Sequence, residues 1–311
     1  MATWKCLKIK GSFLVRSHFL EVTSGEAAQI HVKSFTPESP KACVFLLHGA
    51  IEDGRIFYSR SGKGFAPFLA RSGYAVYVID LRGRGQSTPS INKHSTHGQR
   101  ESILEDIPAA VDLMQQQHPG TPMFWGAHSW GGVLIMCTLA RYQRYLKGLH
   151  GLLFFGSKRR VQAPTWQKRV HIDLFWNRIS FLYTQLFGYL PAARLKLGSD
   201  SETRLSHRES VRWVKSQAWK DDDGFDYRAK LQALNLPPQL HLAGPRDFAL
   251  GHPVDVRRFQ AELGGGPKSR YQLLSRQHGF KHNYGHIDML THPDGPSDHF
   301  PMIRDWLAAQ I

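Results

Sequence analysis

Cysteine is scarce in this chain of 311 residues. Only Cys6, Cys43 and Cys137 occur, an odd number with wide and irregular spacing. Such a set cannot build a disulfide framework, and without a C-x-x-C pair it predicts neither a zinc site nor dithiol redox chemistry. Sparse, unpaired cysteine is typical of proteins in a reducing compartment, so we expect a cytoplasmic protein.

Long apolar segments are also missing. No stretch of about 18 uncharged apolar residues occurs, so the sequence predicts no membrane-spanning helix. Lysines interrupt residues 1–10, and these residues lack the apolar core of about 7 to 15 residues that a secretory signal requires. Low-complexity tracts and internal repeats are absent as well. The hydrophobic content of 41% and the charged content of 21% are those of a globular protein.

Acidic residues are too few to balance the basic ones. The chain has 40 Lys and Arg against 25 Asp and Glu, a net charge of +15. Residues 1–155 carry +7, residues 156–230 carry another +7, and residues 231–311 carry +1. Because no nucleic-acid-binding motif accompanies this spread charge, we expect no nucleic-acid partner. The surplus fits an ordinary basic surface, or a face that attracts an anionic membrane or an anionic substrate.

Apolar runs alternate with helical patterns through most of the chain. Runs that are apolar throughout predict strands buried between two layers, and strand–helix alternation predicts right-handed crossovers. We therefore expect an α/β protein with a mostly parallel, doubly wound sheet. The predicted elements are a hairpin (13–16 and 29–33), strands at 42–48, 74–80, 123–126, 148–155, 239–243 and 271–274, and helices at 64–71, 102–117, 130–145 and 302–309.

The alternation stops between residues 156 and 235. This stretch has no buried-strand pattern, and its aromatic and basic residues are arranged as in short helices. A sheet that is interrupted and then resumes is typical of a core with an inserted domain. We therefore predict a helical cap at 156–235 inserted into a core formed by 1–155 and 236–311.

A serine follows the third predicted strand, in Gly126-Ala-His-Ser-Trp-Gly-Gly132. Residues 127–131 fit the pattern G-x-S-x-G, with alanine in the first glycine position. On a sharp turn between strand and helix, the hydroxyl of Ser129 would project above the sheet edge, beside the N–H groups of the helix start. Helix capping is the alternative role of this serine, but its place between a strand and a helix favours a nucleophile.

A nucleophilic serine needs a base and a group that orients the base. His286 follows the last predicted strand and precedes the final helix, where a base is expected. Asp247 follows the strand at 239–243 and is our candidate for the orienting carboxylate. Asp80 is an alternative, although its glycine-rich surroundings suggest that it ties a loop. Asp288 is less suitable because it is too close in sequence to the histidine.

Two backbone N–H groups are expected to bind the oxyanion that forms during acyl transfer. One belongs to Trp130, the residue after the nucleophile. The other belongs to Ala50, in the loop after the first buried strand of the core, where Gly49 allows a turn that a side chain would block.

Three histidines recur every four residues near the C-terminus, at His278, His282 and His286. This spacing is compatible with a metal-binding helix face. Gly279 and Gly285 argue against a continuous helix, however, and the spacing matches no zinc motif. We expect neither a metal nor a cofactor.

Five motifs in order resemble those of the α/β-hydrolase superfamily, in its lipase and esterase (lysophospholipase-like) branch. They are Leu46-Leu-His-Gly-Ala50, Asp80-Leu-Arg-Gly-Arg-Gly-Gln-Ser87, Ala127-His-Ser-Trp-Gly-Gly132, Gly244-Pro-Arg-Asp247 and Tyr284-Gly-His-Ile-Asp288. The order serine, aspartate, histidine is also that of this fold. The resemblance implies an α/β-hydrolase fold with a catalytic triad and leaves only the cap unmatched. It says less about the substrate, because the fold hosts many chemistries.

These observations together predict a serine hydrolase that cleaves carboxylic esters, with lipid-like esters favoured. Ser129 would attack the carbonyl, His286 would carry the proton and Asp247 would hold the imidazole. A thioesterase or a C–C bond hydrolase could use the same residues. In the superfamily that this chain resembles, dehalogenases and epoxide hydrolases have an aspartate as the nucleophile. Their chemistry is disfavoured here, because this chain has Ser129 at that position. A non-catalytic scaffold that binds a ligand or protein is the alternative of another class.

The composition of the predicted cap suggests a role in substrate binding. Residues 156–230 hold 11 of the 36 aromatic and 15 of the 40 basic residues. The aromatic side chains would line an acyl pocket, or else form the cap's own small core. Lys158, Arg159 and Arg160 directly follow the fourth strand, so we expect them near the site as a basic rim. There they would meet an anionic head group or a membrane surface; the alternative is a solvated turn.

Overall fold

A sheet of nine strands runs through the part of the chain that the computed structural model describes, residues 3–9, 12–23 and 27–311. The strands are β1 (Thr3–Ile9), β2 (Phe13–Val22), β3 (Ala28–Pro37), β4 (Ala42–Leu47), β5 (Tyr74–Asp80), β6 (Met123–His128), β7 (Leu149–Phe155), β8 (Tyr189–Leu190), β9 (Glu202–Thr203), β10 (Gln239–Ala243) and β11 (Ser269–Leu273). Their order in the sheet is β1-β2-β3-β5-β4-β6-β7-β10-β11, and β8 pairs separately with β9. From β5 to β11 all neighbours are parallel. The mostly parallel sheet is therefore confirmed.

Helices connect the parallel strands, and two more follow β11. They are α1 (Phe65–Arg71), α2 (Gln99–Glu101), α3 (Ile107–Gln117), α4 (Gly131–Arg141), α5 (Trp166–Lys168), α6 (Phe181–Phe187), α7 (Arg204–Lys215), α8 (Tyr227–Gln232), α9 (Pro253–Glu262), α10 (Asp288–Thr291) and α11 (Phe300–Ala308). Two π-helical stretches, Ser102–Asp106 and Arg169–Ser180, join α2 to α3 and α5 to α6, so each pair forms one continuous helix. No helix in the described ranges is both long and apolar enough to cross a bilayer.

Alternate side chains of the central strands pack into two separate cores. In β4, Cys43 and Phe45 belong to a cluster shared with α3 and α4, whereas Val44 and Leu46 belong to a cluster shared with α1 and α11. Successive side chains of a strand point to opposite faces of the sheet. A run that is apolar throughout is therefore stable only where helices cover both faces, as the doubly wound arrangement requires.

The predicted core elements are present, with ends that differ by a few residues. The hairpin is longer than expected, because β2 and β3 pair from Phe13↔Pro37 to Val22↔Ala28; most of its turn lies outside the described residues. The helix expected to reach Tyr145 ends at Arg141 and is followed by a short 3-10 turn. Two of the three cysteines are buried free thiols, and the side chain of the third, Cys6, lies outside the description.

The segment between β7 and β10 contains α5 to α8, as expected, and also the short β8–β9 pair, which the sequence did not predict. Its aromatic residues divide into two groups. Trp213, Trp219 and Tyr227 are buried and belong to the core cluster that includes α4. By contrast, Trp166 and Phe187 on the α5–α6 helix are 68% and 55% exposed. The first group therefore joins the main core, whereas the second forms an apolar surface. The limits of the cap at 156–235 stay a prediction.

Candidate active site

Ser129 lies on the sharp turn between β6 and α4. Its φ of 51° is in the left-handed region, which residues other than glycine rarely adopt. The N–H of Ser129 donates to the carbonyl oxygen of Phe155 at the end of β7, at 2.8 Å, which holds the turn against the sheet. A Cβ at Gly131 would collide with the backbone oxygen of His48, so a glycine two positions after the serine is needed for this close approach. Strained backbone of this kind is typical of functional sites.

Asp247 and His286 come together at the same edge of the sheet. Asp247 follows β10, and its Oδ2 lies 2.5 Å from Nδ1 of His286, in the loop between β11 and α10. Burial opposes ionisation of Asp247, but the charge of His286 and its hydrogen bond outweigh that effect and hold the pKa of Asp247 well below its usual range. Burial lowers the pKa of His286 below 6.5, although Asp247 opposes this shift. The pair therefore places a carboxylate next to an imidazole that is neutral at pH 7.

The two alternative carboxylates have other partners. Oδ2 of Asp80 lies 2.8 Å from Nδ1 of His31, and its Oδ1 accepts from the N–H of Gly54 at 2.7 Å. Asp288 accepts from the N–H of Gly285. Asp80 thus ties its own loop, as its sequence context suggested, and neither carboxylate contacts the ring of His286.

The N–H groups of Ala50 and Trp130 form no hydrogen bond within the described residues. The loop that holds Ala50 passes directly over the serine, since a Cβ at Gly49 would lie 2.9 Å from Cβ of Ser129. The N–H of Gly49 is not available, because it donates to Oε2 of Glu52 at 2.9 Å. Two backbone N–H groups without a partner among the described residues therefore lie on segments next to Ser129, and their role as an oxyanion hole stays a prediction.

Glu52 and His128 form a contact that the sequence did not reveal. Oε2 of Glu52 lies 2.8 Å from Nδ1 of His128, whose Nε2 lies 3.1 Å from the backbone oxygen of His286. Burial opposes ionisation of Glu52, but the charge of His128 and its hydrogen bond lower the pKa of Glu52 to about 2. The pair connects the loop after β4, the serine turn and the histidine loop. The sequence signal for this contact was His128, directly before the serine. It occupies a position that the G-x-S-x-G pattern leaves open, so the pattern did not single it out.

Lys158 lies next to the serine, where the sequence predicted only a nearby basic rim. Its Nζ donates to Oγ of Ser129 at 2.8 Å, and the residue is 7% exposed. Arg159 is fully buried and pairs with Glu262 at 2.6 Å. The expected exposed rim is therefore wrong for these two residues, and so is the solvated turn, because the segment after β7 remains enclosed.

Within the described residues, no hydrogen bond joins Ser129 to the ring of His286.

The regularly spaced histidines do not share a face. Nδ1 of His278 lies 2.7 Å from Oγ of Ser275, and Nε2 of His282 lies 2.7 Å from Oδ2 of Asp294, whereas His286 pairs with its aspartate at the serine site. His282 also lies near His292, and with Asp294 these residues bring three potential ligand atoms within 4.8 Å of one another. These groups are partly exposed and separate from the serine.

Comparisons with known proteins agree with this architecture. Residues 38–236 match the family model described as serine aminopeptidase, S33. Human monoglyceride lipase is 30% identical over 111 residues, and this match spans 36% of the chain and only 34% of that relative. A soluble variant of monoglyceride lipase from Saccharomyces cerevisiae, in complex with a substrate analogue, has a TM-score of 0.66 at 14% identity, over 98% of both chains. An esterase from Thermogutta terrifontis has a TM-score of 0.60 at 16% identity, over 94% of this chain and 98% of that one. These structural neighbours share the α/β-hydrolase fold.

Proposed function

Because the chain belongs to the serine aminopeptidase S33 family of α/β hydrolases, we propose that it is a carboxylic ester hydrolase that acts on lipid-like esters. Ser129 is the nucleophile, His286 is the general base and acid, and Asp247 orients the imidazole. The observation that carries the proposal is the buried 2.5 Å contact between Asp247 and His286, at the sheet edge that also holds a serine with φ of 51°.

The reaction proceeds through an acyl-enzyme. The hydroxyl of Ser129 attacks the ester carbonyl, and the N–H groups of Ala50 and Trp130 stabilise the resulting oxyanion. The alcohol leaves, and a water molecule activated by His286 then hydrolyses the acyl-enzyme. Removal of a single oxyanion-hole donor in such sites costs about 10² to 10³ in kcat, which shows how much the backbone geometry contributes.

Apolar side chains near the site support a substrate with an acyl chain. Phe248 and Leu250, in the loop that carries Asp247, are 46% and 42% exposed. The side chain of Thr165 donates to the backbone oxygen of Phe248 at 2.6 Å, so the exposed Trp166 at the start of α5 lies beside the same loop. Each CH₂ of an acyl chain buried there contributes about 0.8 kcal/mol. The match to human monoglyceride lipase points in the same direction.

The α5–α6 helix supports peripheral contact with an anionic membrane, which is part of the same proposal. Leu182 and Leu186 are exposed on it, together with Arg169 and Arg178. Exposed apolar side chains next to cationic ones are typical of helices that lie on lipid surfaces. With the net charge of +15, this helix would hold the site against a surface that contains its substrate.

The enzymatic proposal is tested with a fluorophosphonate probe and a series of p-nitrophenyl esters from C2 to C16. We expect stoichiometric labelling of the wild type, none of Ser129→Ala, and a higher kcat/KM for long than for short acyl chains. Loss of kcat in Ser129→Ala should be about 10³ or more. An unlabelled wild type would favour a binding scaffold, a preference for acetyl esters would contradict the lipid-like substrate, and faster cleavage of matched thioesters would identify a thioesterase.

The membrane contact is tested by co-sedimentation with phosphatidylcholine vesicles, with and without phosphatidylserine. We expect binding only to the anionic vesicles, and weaker binding for Leu186→Asp. Val254→Asp is a matched control, because Val254 is also exposed but lies on α9. Equal loss in both variants, or equal binding to both kinds of vesicle, would contradict the proposed contact.

A further inference from the structure

The backbone oxygen of Gly49 accepts hydrogen bonds from two buried side chains. Nη1 of Arg84 donates to it at 3.3 Å, and Nδ1 of His48 lies 2.8 Å from it. Burial and the charge of Arg84 lower the pKa of His48, which keeps the ring neutral at pH 7. Nε2 of this ring accepts the N–H of Leu81 at 3.2 Å, so its proton is on Nδ1, which donates to the oxygen. The carbonyl therefore has one charged and one neutral donor.

The same peptide group carries one of the two N–H groups of the proposed oxyanion hole. In a trans peptide, C=O and N–H lie in one plane and point in opposite directions. Because the carbonyl of Gly49 faces Arg84, the N–H of Ala50 points away from the guanidinium, and it has no partner among the described residues. A charged donor on the carbonyl also polarises the amide and makes its N–H a stronger donor.

Arg84 is itself held by the segment between β7 and β10. Its Nη2 donates to Oε2 of Glu202, on β9, at 2.7 Å, and both side chains are buried. The rigid guanidinium fork thus contacts a carboxylate and the peptide carbonyl at once. Nearby, the N–H of Asp200 donates to the backbone oxygen of Ile51 at 3.1 Å, and its Oδ2 accepts the N–H of Gly85 at 2.6 Å. Residues 200–202 therefore contact both loops that surround the carbonyl.

We propose that Arg84 is a positioning residue, which aims the N–H of Ala50 at the oxyanion that forms during acyl transfer. This inference rests on the proposed hydrolase function and deepens it, and His286 remains the general base and acid. Arg84 acts through the peptide group and not on the reacting atoms. Since its partner Glu202 lies between β7 and β10, docking of that segment and the geometry of the oxyanion hole are coupled.

Such a role affects the rate more than substrate binding. The ester carbonyl carries little charge in the bound substrate and a full negative charge in the tetrahedral intermediate, so a misdirected N–H costs most in the transition state. Loss of a whole donor costs about 10² to 10³ in kcat. In Arg84→Met the N–H of Ala50 remains and His48 still holds the carbonyl. We therefore expect kcat to fall by about 10- to 100-fold, with KM within about threefold of the wild type.

A pair of ketone inhibitors separates this role from a loss of folding. A long-chain trifluoromethyl ketone adds to Ser129, whose proton passes to His286, and forms a hemiketal oxyanion, whereas the matched methyl ketone binds largely without addition. We expect Arg84→Met to raise the Ki of the trifluoromethyl ketone by the same factor by which it lowers kcat/KM. The Ki of the methyl ketone should change by less than about threefold. Partial unfolding would lower only the active fraction, which fluorophosphonate titration measures, and leave both Ki values unchanged.

Arg141→Met is a matched control. Arg141 is 15% exposed and also contacts the segment between β7 and β10, through Asp221 and Asp223 at 2.7 and 2.8 Å. It lies at the C-terminal end of α4, whereas Ser129 precedes the N-terminal end. We expect this variant to have a lower Tm and the wild-type Ki for both ketones. Arg84→Lys retains a charged donor, so its Ki for the trifluoromethyl ketone should lie between those of the wild type and Arg84→Met.

The outcomes distinguish this inference from the proposed function. A wild type that neither reacts with fluorophosphonate nor binds the trifluoromethyl ketone would reject the hydrolase itself. With an active wild type, the role of Arg84 is overturned if Arg84→Met keeps both Ki values, if both rise equally, or if Arg141→Met shows the same rise. Should Arg84→Met not fold, Arg84→Gln takes its place, because a neutral amide still offers a donor to Glu202. The wild-type Ki in that folded variant would also overturn the proposal.

Discussion

The contact between Asp247 and His286 gives the sharpest test of the site, through the substitution Asp247→Asn. Oδ1 of Asp247 accepts the N–H of Leu250 at 2.9 Å, whereas Oδ2 faces Nδ1 of His286 at 2.5 Å. An amide must keep its oxygen toward Leu250, so its NH₂ group faces the ring. The imidazole then has to accept at Nδ1 and carry its proton on Nε2, where the base is needed.

The expected loss follows from this trapped tautomer. An imidazole with its proton on Nε2 has no free lone pair at that nitrogen and cannot act as the base there, and the carboxylate that stabilised the charged ring is gone. Triads in which the orienting aspartate becomes asparagine lose about 10⁴ in kcat, which corresponds to about 5.5 kcal/mol at 1.36 kcal/mol per tenfold. Both side chains are buried, so water cannot take the place of the lost acceptor.

Steady-state kinetics on one p-nitrophenyl ester measure this effect. Asp288→Asn is a matched control, because Asp288 lies two residues from His286, and its one side-chain hydrogen bond within the described residues accepts the N–H of Gly285. We expect a loss of about 10⁴ for Asp247→Asn and a change of less than about tenfold for the control, with both variants folded. The reasoning is refuted if Asp247→Asn keeps kcat within about tenfold of the wild type, or if the control falls equally far.

Two further predictions concern buried positions. Burial raises the pKa of Glu209 from 4.5 to about 7, so the folded protein holds a proton that the unfolded chain loses between these values, and stability falls as pH rises through that range. Glu209→Gln should therefore raise the free energy of unfolding at pH 8 by up to about 3 kcal/mol but little at pH 4, as measured by urea denaturation; equal gains at both would contradict this. Gly156→Ala should lower both Tm and kcat, because φ is 59° and its Cβ would lie 3.0 Å from Nδ1 of His286. Gly120→Ala, with φ of 74° and no atom within 4 Å of its Cβ, should lose only about 1 to 2 kcal/mol of stability and keep its activity, so equal kcat in the two variants would argue against the collision.

The core of the fold could be predicted because its signal is local. The residues of β5, Tyr74 to Asp80, form an apolar run that is buried along its whole length, and such a run fits only a sheet covered on both faces. β10 begins and ends where the sequence predicted. The predicted helix ends were less accurate, as at Arg141, because a helix ends where tertiary contacts no longer stabilise it.

The arrangement of the candidate site could also be predicted, although its catalytic roles stay a proposal. Loops that follow parallel strands gather at the same sheet edge, so the places of Ser129, Asp247 and His286 in the strand order imply that they lie close together. The choice among the carboxylates depended on the same reasoning, and of the three considered only Asp247 contacts the ring. The cytoplasmic location stays a prediction based on cysteine use.

The sequence could not separate the two roles of the basic residues after β7, because burial of a charge is decided by distant partners. Arg159 and Glu262 are 103 residues apart in the chain, and their buried ion pair fixes the backbone at this point. The neighbouring Lys158 contacts Ser129, 29 residues earlier in the chain. By composition, both residues belong to a basic triplet of the kind that usually remains in water. Arg159 instead pairs with the carboxylate of Glu262, whereas Lys158 has no ion pair within the described residues. Which of these two adjacent residues pairs with a carboxylate therefore determines the proton affinity of the amine beside the nucleophile.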